Sequence, residues 1–233
     1  MRNSSHQRHP LRVHWPIRIG LILILASWGA ASGEASQDKA EKSLGFFKLT
    51  YYHVAQEASE PIAEKLDWPI YSADCAQIIT FTTRTFHNEL SLEGTGLLRD
   101  GRLVNFESRC SCARAGYKKL RTCYVVLDRE AFPWGRGASL NNAFFPLRPL
   151  YSVAVDPTLI PIGTEVFLPD LAGRIGPEGT PLSGCFRAED AGHNIKGKRL
   201  DLFTGLPTTT QWLQRNLRLD RVRVVINALR CRP

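Results

Sequence analysis

The chain has 233 residues, six of them cysteine, and sets 30 lysines and arginines against 22 aspartates and glutamates for a formal charge of +8. That length suffices for one domain with a substantial core. Four of the basic residues (Arg2, Arg8, Arg12 and Arg18) lie in the first 33 positions, which carry no acid, so 26 bases face 22 acids elsewhere. This mild excess suits an anionic surface, and without a basic patch interleaved with aromatics it gives nucleic-acid binding little support.

In chain order, the arginines precede an apolar run, Ile19 to Trp28, and small residues from Gly29 to Gly33. A basic start, a short apolar centre and a small-residue zone predict a secretory signal peptide over 1–33. The run is short for a membrane span, which needs about 20 apolar residues. An uncleaved anchor is the alternative; no cysteine near the cleavage zone offers a lipid site. After cleavage no membrane span is expected, and the protein is exported. Residues 34–44, EASQDKAEKSL, read as a linker, and 45–233 as one domain.

Gly45 to Val54 (GFFKLTYYHV) and Ala76 to Thr85 (AQIITFTTRT) are rich in β-branched and aromatic residues and predict strands. Residues 55–74, with Pro61 and Pro69, read as a loop or insertion. Gly94 to Phe106 predicts a hairpin, because Asp100-Gly101 separates two apolar runs. Tyr124–Leu127 is another short strand, and Phe132 to Pro149 is a glycine- and proline-rich loop. Further strands are expected at Tyr151–Val155, Thr164–Leu168, Gly184–Glu189, Leu200–Phe203 and Val222–Leu229. A helix is expected over Thr208 to Leu217, where Thr208 and Gln211 fit a capping box and Trp212, Leu213 and Leu217 form an apolar face. Many short strands with one or two short helices predict a mainly β fold, closed or sandwiched.

All six cysteines (Cys75, Cys110, Cys112, Cys123, Cys185, Cys231) lie beyond the signal segment, and an even count in an exported protein favours disulfides. Cys110-x-Cys112 with Cys123 could also suggest a metal cluster, but a C-x₂-C spacing and a nearby histidine are lacking. No metal and no other cofactor are expected. Six cysteines allow about 15 connectivities, which sequence leaves open.

Three aspartates carry the chemistry. Asp201 lies within Leu200-Asp201-Leu202-Phe203, where burial would raise its pKa toward that of a general acid; alternation could equally turn it to solvent. Asp190 precedes the basic, glycine-rich turn AGHNIKGKR, eleven residues before Asp201, and reads as a turn cap or as a second site carboxylate. Asp156 precedes Pro157, a common turn start.

The stretch FRAEDAGHNIKGKRLDLFTG, with Asp156 upstream in YSVAVDPTLIPIGTEVFL, resembles the 3D (Asp-Asp-Asp) domain family, which includes the membrane-bound lytic murein transglycosylase A enzymes. The resemblance runs from about Phe47 to the C-terminus and implies a six-stranded double-psi β-barrel. It implies a peptidoglycan lytic transglycosylase that cleaves the MurNAc-β-1,4-GlcNAc bond to a 1,6-anhydromuramoyl product. Asp201 serves there as the single acid/base, with Asp190 and Asp156 in the carboxylate cluster. Tyr51, Tyr52, Thr95, Trp134 and Lys196 are candidates for substrate contact, although core packing for the aromatics, backbone service for the Thr95 segment and simple solvation for Lys196 are the bland readings. Peptidoglycan glycan strands are the expected partner, with an envelope protein as a second, and the location is periplasmic or outer-membrane associated. His193 departs from the small residue common in the family's turn. The chain also looks too short for the additional domain that deepens the groove of the large family members. The rival readings are a non-catalytic polysaccharide-binding barrel and a hydrolase using Asp190 and Asp201 with water.

Overall fold

The computed structural model describes residues 40–59, 63–113 and 116–232; the signal peptide expected over 1–33 and the linker as far as residue 39 lie outside the described residues. In chain order the strands are β1 (Lys42–Tyr52), β2 (Ala55–Gln56), β3 (Trp68–Ser72) and β4 (Ile78–Thr82), followed by helix α1 (Arg84–Glu93). Next come β5 (Thr95–Leu97), β6 (Leu103–Cys112), β7 (Leu120–Val126), β8 (Arg136–Leu140) and β9 (Ala143–Pro146). The remainder is β10 (Ser152–Ala154), β11 (Glu165–Phe167), β12 (Cys185–Asp190), β13 (Arg199–Phe203), α2 (Pro207–Asn216) and β14 (Arg221–Ile226).

Six strands close a barrel in the order β1-β13-β10-β12-β11-β14, so the expected mainly β barrel is present. β1 runs parallel to β13 and β10 parallel to β12, while the other neighbours are antiparallel. Period-two alternation fills its interior: Phe47 and Leu49 from β1, Val153 from β10, Val166 from β11, Phe186 and Ala188 from β12, Leu200 and Leu202 from β13, and Val222 and Val224 from β14. Leu213 of α2 closes against this core. Each fully buried side chain of this kind contributes about 1.5–3 kcal/mol.

A second six-stranded sheet, β2-β5-β6-β7-β3-β4, is built from the segment between β1 and β10. Residues 55–74, read from sequence as a loop, supply β2 and β3 to it. The strand expected over 76–85 stops at Thr82, and α1 follows, capped by the Thr83 side chain, which accepts from the Phe86 N–H at 3.1 Å. α1 packs Phe86 and Leu90 against Ala55, Ile70, Val104 and Tyr124. The Asp100-Gly101 hairpin is present, joining β5 to β6.

Three other sequence expectations change. The loop expected over 132–149 contains the β8–β9 hairpin, because Asn141 and Asn142 both take left-handed φ (51° and 64°), the geometry of a two-residue turn matched to strand twist. The capping box expected at Thr208 does not form: α2 starts from Leu206 with no side-chain cap, and Pro207 fixes its first turn. β1 starts at Lys42, inside the stretch read as linker.

A third apolar cluster joins sheet and barrel. Val54, Leu103, Leu127, Leu147 and Phe203 are buried together, with Tyr52, Leu97 and Trp134 packed on them. Disulfides Cys75–Cys112 and Cys110–Cys123 brace the second sheet, and Cys185–Cys231 ties β12 to the C-terminal turn. Among the described residues no helix is long and apolar enough to cross a membrane.

Candidate active site

On β13, alternation sends Leu200 and Leu202 into the barrel and leaves Asp201 on its outer face. That face is covered. Asp201 lines a cavity of about 460 Å³ whose walls come from β1 (Lys48, Thr50, Tyr51, Tyr52), the end of α1 (Leu92, Glu93) and the segment around Arg218 and Asp220. The cleft thus lies between the barrel and the helix of the second sheet.

Two glycines bring α1 there. Gly94 ends the helix at φ 81°, and its N–H bonds to the Leu90 carbonyl at 2.9 Å. At Gly96 a Cβ would stand 2.8 Å from Leu90 Cδ1 and 2.9 Å from Phe86 Cζ, so a larger residue would push the helix away. The helix therefore sits on β5 with Glu93 at the cleft.

Asp201 is half-buried; its Oδ1 is shielded from solvent and makes no hydrogen bond among the described residues. Burial pushes its pKa up to about 6, with nearby Asp190 adding to the rise and Thr50 and Arg199 opposing it. Arg199 is itself held by Nε donation to Thr50 Oγ1 at 3.3 Å. Tyr51 follows Phe47 and Leu49 on the inward register of β1 and packs on the barrel core; its Oη is buried and unpartnered among the described residues, and burial raises its pKa to about 12. An unpaired buried polar atom costs about 1–3 kcal/mol, a cost that protonation of Asp201 or a donor reaching its Oδ1 would relieve.

Asp190 reaches the outer face through a bulge. Val153 pairs with Ala188 but Ala154 pairs with Asp190, so Glu189 is the extra residue. Glu189 is turned into the fold, where it accepts from Ser152 Oγ at 2.5 Å and pairs with Arg148. Asp190 accepts from Tyr52 Oη and from the Ala191 N–H, both at 2.8 Å. Burial raises its pKa, and these two donors work against the rise. Tyr52 also packs on Phe203, with ring centroids 5.1 Å apart.

Asp156 holds the turn that connects the other two aspartates. It accepts from the Gly197 N–H at 2.8 Å and from Thr158 through N–H at 3.0 Å and Oγ1 at 2.8 Å. The Gly197 bond is the main reason its pKa lies below the usual carboxylate range. Asp201, Tyr51 and Tyr52 all line the cleft, with the Tyr51 ring turned to the barrel core. Asp190 stands behind Tyr52, and Asp156 anchors the loop. Lys196 is exposed on the turn beside Asp156. Thr95 is buried on β5 and donates to Asn105 Oδ1 at 2.6 Å, and Trp134 packs at the junction between barrel and sheet.

Sequence reasoning missed Glu93 and the group behind it. The His53 N–H donates to Glu93 Oε2 at 2.8 Å, and His53 Nε2 lies 3.1 Å from Glu89 Oε1. His53 Nδ1 meets Thr210 Oγ1 at 3.2 Å, and Thr210 meets Thr204 at 2.6 Å. Burial raises the Glu93 pKa, and the charges of Asp201 and Glu89 add to the rise.

Residues 151–212 match the sequence model of the 3D domain. Among solved structures, the fold is similar to Escherichia coli MltA with bound chitohexaose, at 15% identity and TM-score 0.50, covering 78% of this chain and 71% of that one. It is also similar to a membrane-bound lytic murein transglycosylase from Agrobacterium tumefaciens, at 13% identity and TM-score 0.51, covering 80% and 75%. At such identities the likeness establishes a common fold. No curated protein matches the chain.

Proposed function

We propose that this protein is a lytic transglycosylase acting on peptidoglycan, cleaving the MurNAc-β-1,4-GlcNAc bond to leave a 1,6-anhydromuramoyl end. The observation that carries this reading is Asp201: a half-buried carboxyl with a pKa of about 6 and an unpartnered oxygen, on the wall of a polar cleft. The match of 151–212 to the 3D domain and the glycan bound to the similarly folded MltA support it.

In the proposed reaction protonated Asp201 gives its proton to the glycosidic oxygen as the bond to the anomeric carbon breaks. The muramoyl 6-hydroxyl of the same sugar then closes on that carbon. Because the nucleophile belongs to the substrate, proximity replaces an ordered water. In the simplest form ionised Asp201 takes the hydroxyl proton back. Lys48, Arg199 and Arg218 put cations on the cleft wall, suited to lactyl and peptide-stem carboxylates. Asp190 and Tyr52 form the wall behind Asp201, and Asp156 fixes the loop between them. Three disulfides suit an oxidising compartment, and the periplasm, where peptidoglycan lies, fits both.

The test is mass spectrometry of purified peptidoglycan digested by the mature protein and by Asp201→Asn. Anhydromuramoyl products from the parent alone are expected. Reducing ends would instead indicate hydrolysis. Sedimentation with sacculi and no cleavage by either protein would indicate a binding module.

A further inference from the structure

Glu93 faces the same cleft as Asp201 but arrives from a different part of the fold. Asp201 belongs to β13 of the barrel, whereas Glu93 ends α1 on the second sheet, so the cleft has a carboxylate on each wall. The Glu93 side chain is largely buried (9% exposed). Its Oε2 is fixed by the His53 N–H, while Oε1 makes no hydrogen bond among the described residues. The helix holds the sheet through Phe86 and Leu90, so the structural work of Glu93 is confined to the bond that its Oε2 accepts from the His53 N–H.

We propose that Glu93 is a second catalytic carboxylate of this site, taking the proton of the attacking hydroxyl while Asp201 supplies one to the leaving oxygen. The inference rests on the transglycosylase reading above and divides between two groups the work that its simplest form gives to Asp201 alone. The step balances. The bond from the anomeric carbon to the leaving oxygen breaks, and that oxygen keeps the electron pair and takes the Asp201 proton. The bond from the anomeric carbon to O6 forms, and the O6 proton passes to Glu93 Oε1. Afterwards Asp201 is ionised and Glu93 protonated, and one proton exchanged through the open cleft restores the starting state.

The surroundings of Glu93 suit a base that must be both charged and recharged. His53 and Glu89 face it from behind. Across the cleft stand Asp201 and Arg199 of β13 and Lys48 of β1, with Arg218 and Asp220 at the end. Two carboxyls in one cleft titrate as a pair, so the first proton leaves one wall more readily than the second leaves the other. That order is what an acid and a base working together need.

The experiment compares Glu93→Gln, Glu93→Ala and Asp201→Asn on purified peptidoglycan, with folding checked by thermal melting and substrate capture by sedimentation with sacculi. Expected is a fall in kcat of about 10²-fold or more for Glu93→Gln, with sacculus binding kept. Sodium formate, a small diffusible carboxylate, should partly restore turnover to Glu93→Ala and leave Asp201→Asn unchanged; a structural role for Glu93 predicts no such rescue. Parent-like turnover by Glu93→Gln, or failure of formate to restore any rate to a folded Glu93→Ala, overturns the proposal. Full turnover by Asp201→Asn overturns instead the transglycosylase reading on which it rests.

Discussion

Asp190 and Asp201 stand on either side of a single residue: both pair with Ala154, one across the parallel β10–β12 edge and the other across the antiparallel β10–β13 edge. Their backbones are two strand spacings apart, about 9.5 Å, and the side chain between them is a methyl group. Each ionised carboxylate therefore disfavours the other, and Asp190 does contribute to the raised pKa of Asp201. Asp190 has two donors of its own and Asp201 Oδ1 has none among the described residues. The unsatisfied member of the pair is the one that faces the cleft.

The first prediction concerns pH. The folded pKa of Asp201, about 6, lies above its ordinary value of 3.8, so the folded state holds the proton more tightly. Stability from this group is complete below about pH 4 and is lost as pH rises through 6. Asp201→Asn, always neutral, should match the parent at pH 4 and exceed it at pH 8 by about 1–2 kcal/mol, discounted for partial solvent access. Cleavage by the parent should fall on the alkaline side of pH 6 as the acid form disappears. Urea unfolding at both pH values and a rate profile check this; a variant less stable than the parent at pH 8 would contradict it.

Tyr52→Phe removes the hydroxyl that donates to Asp190 and leaves the ring on Phe203. At neutral pH a half-buried carboxylate loses a donor, a cost of about 1–3 kcal/mol. Because that donor holds the Asp190 pKa down, its loss raises the pKa further. The destabilisation should therefore shrink as pH falls and Asp190 takes up a proton. Equal destabilisation at pH 4 and pH 7.5 in denaturant melts would rule out the hydrogen bond as its cause.

The barrel was legible wherever one strand has one wet face. In Leu200-Asp201-Leu202 the period of two places the leucines inside and the carboxylate outside. What no local pattern reveals is that the outside is roofed, because the roof comes from a helix more than a hundred residues earlier. That helix was itself hidden: the β-prone FTT before it led the reading onward, although Phe86 and Leu90 at i, i+4 and the Gly94 stop were helix signals. In sequence Glu93 carries no signal beyond its place before a glycine. The β8–β9 hairpin was obscured by the surrounding glycines and prolines, its one signal being Asn141-Asn142. Asp156 could be read as a turn former from Asp-Pro, but its bond to Gly197 is a contact across 41 residues. The second sheet, missing from the sequence reading, is what turns the outer wall of the barrel into a cleft.

Gly137 on β8 tests how tightly the bulge is held. A Cβ there would lie 2.2 Å from the Glu189 carbonyl oxygen and 2.9 Å from Leu147 Cδ2. Backbone cannot yield as a side-chain tip can, so Gly137→Ala must displace β8 from β12 at the residue that aims Asp190. Overpacking of this kind costs about 1–3 kcal/mol. The variant should unfold at lower denaturant and lose part of its cleavage rate; a melt superimposable on the parent's would show that β8 does not press on β12.

The disulfides give a prediction that separates fold from site. Cys112 Sγ lies 3.1 Å from Cys123 Sγ, so reducing either bridge of the second sheet, or replacing one of its cysteines, leaves a thiol close to the other disulfide and invites exchange. Cys185–Cys231 spans 46 residues and is removed cleanly. In the chain-entropy account a loop of that length contributes about 4 kcal/mol, against about 3 kcal/mol for the 13-residue Cys110–Cys123 loop. The bridge joins the start of β12 to the turn after β14, at the opposite end of β12 from Asp190, and none of its atoms lines the cleft. Cys185→Ala with Cys231→Ala should lose about 2–4 kcal/mol in denaturant melts and keep its rate on peptidoglycan at temperatures where it stays folded. Lost rate without lost stability would mean that the barrel transmits strain from this end of β12 to the cleft.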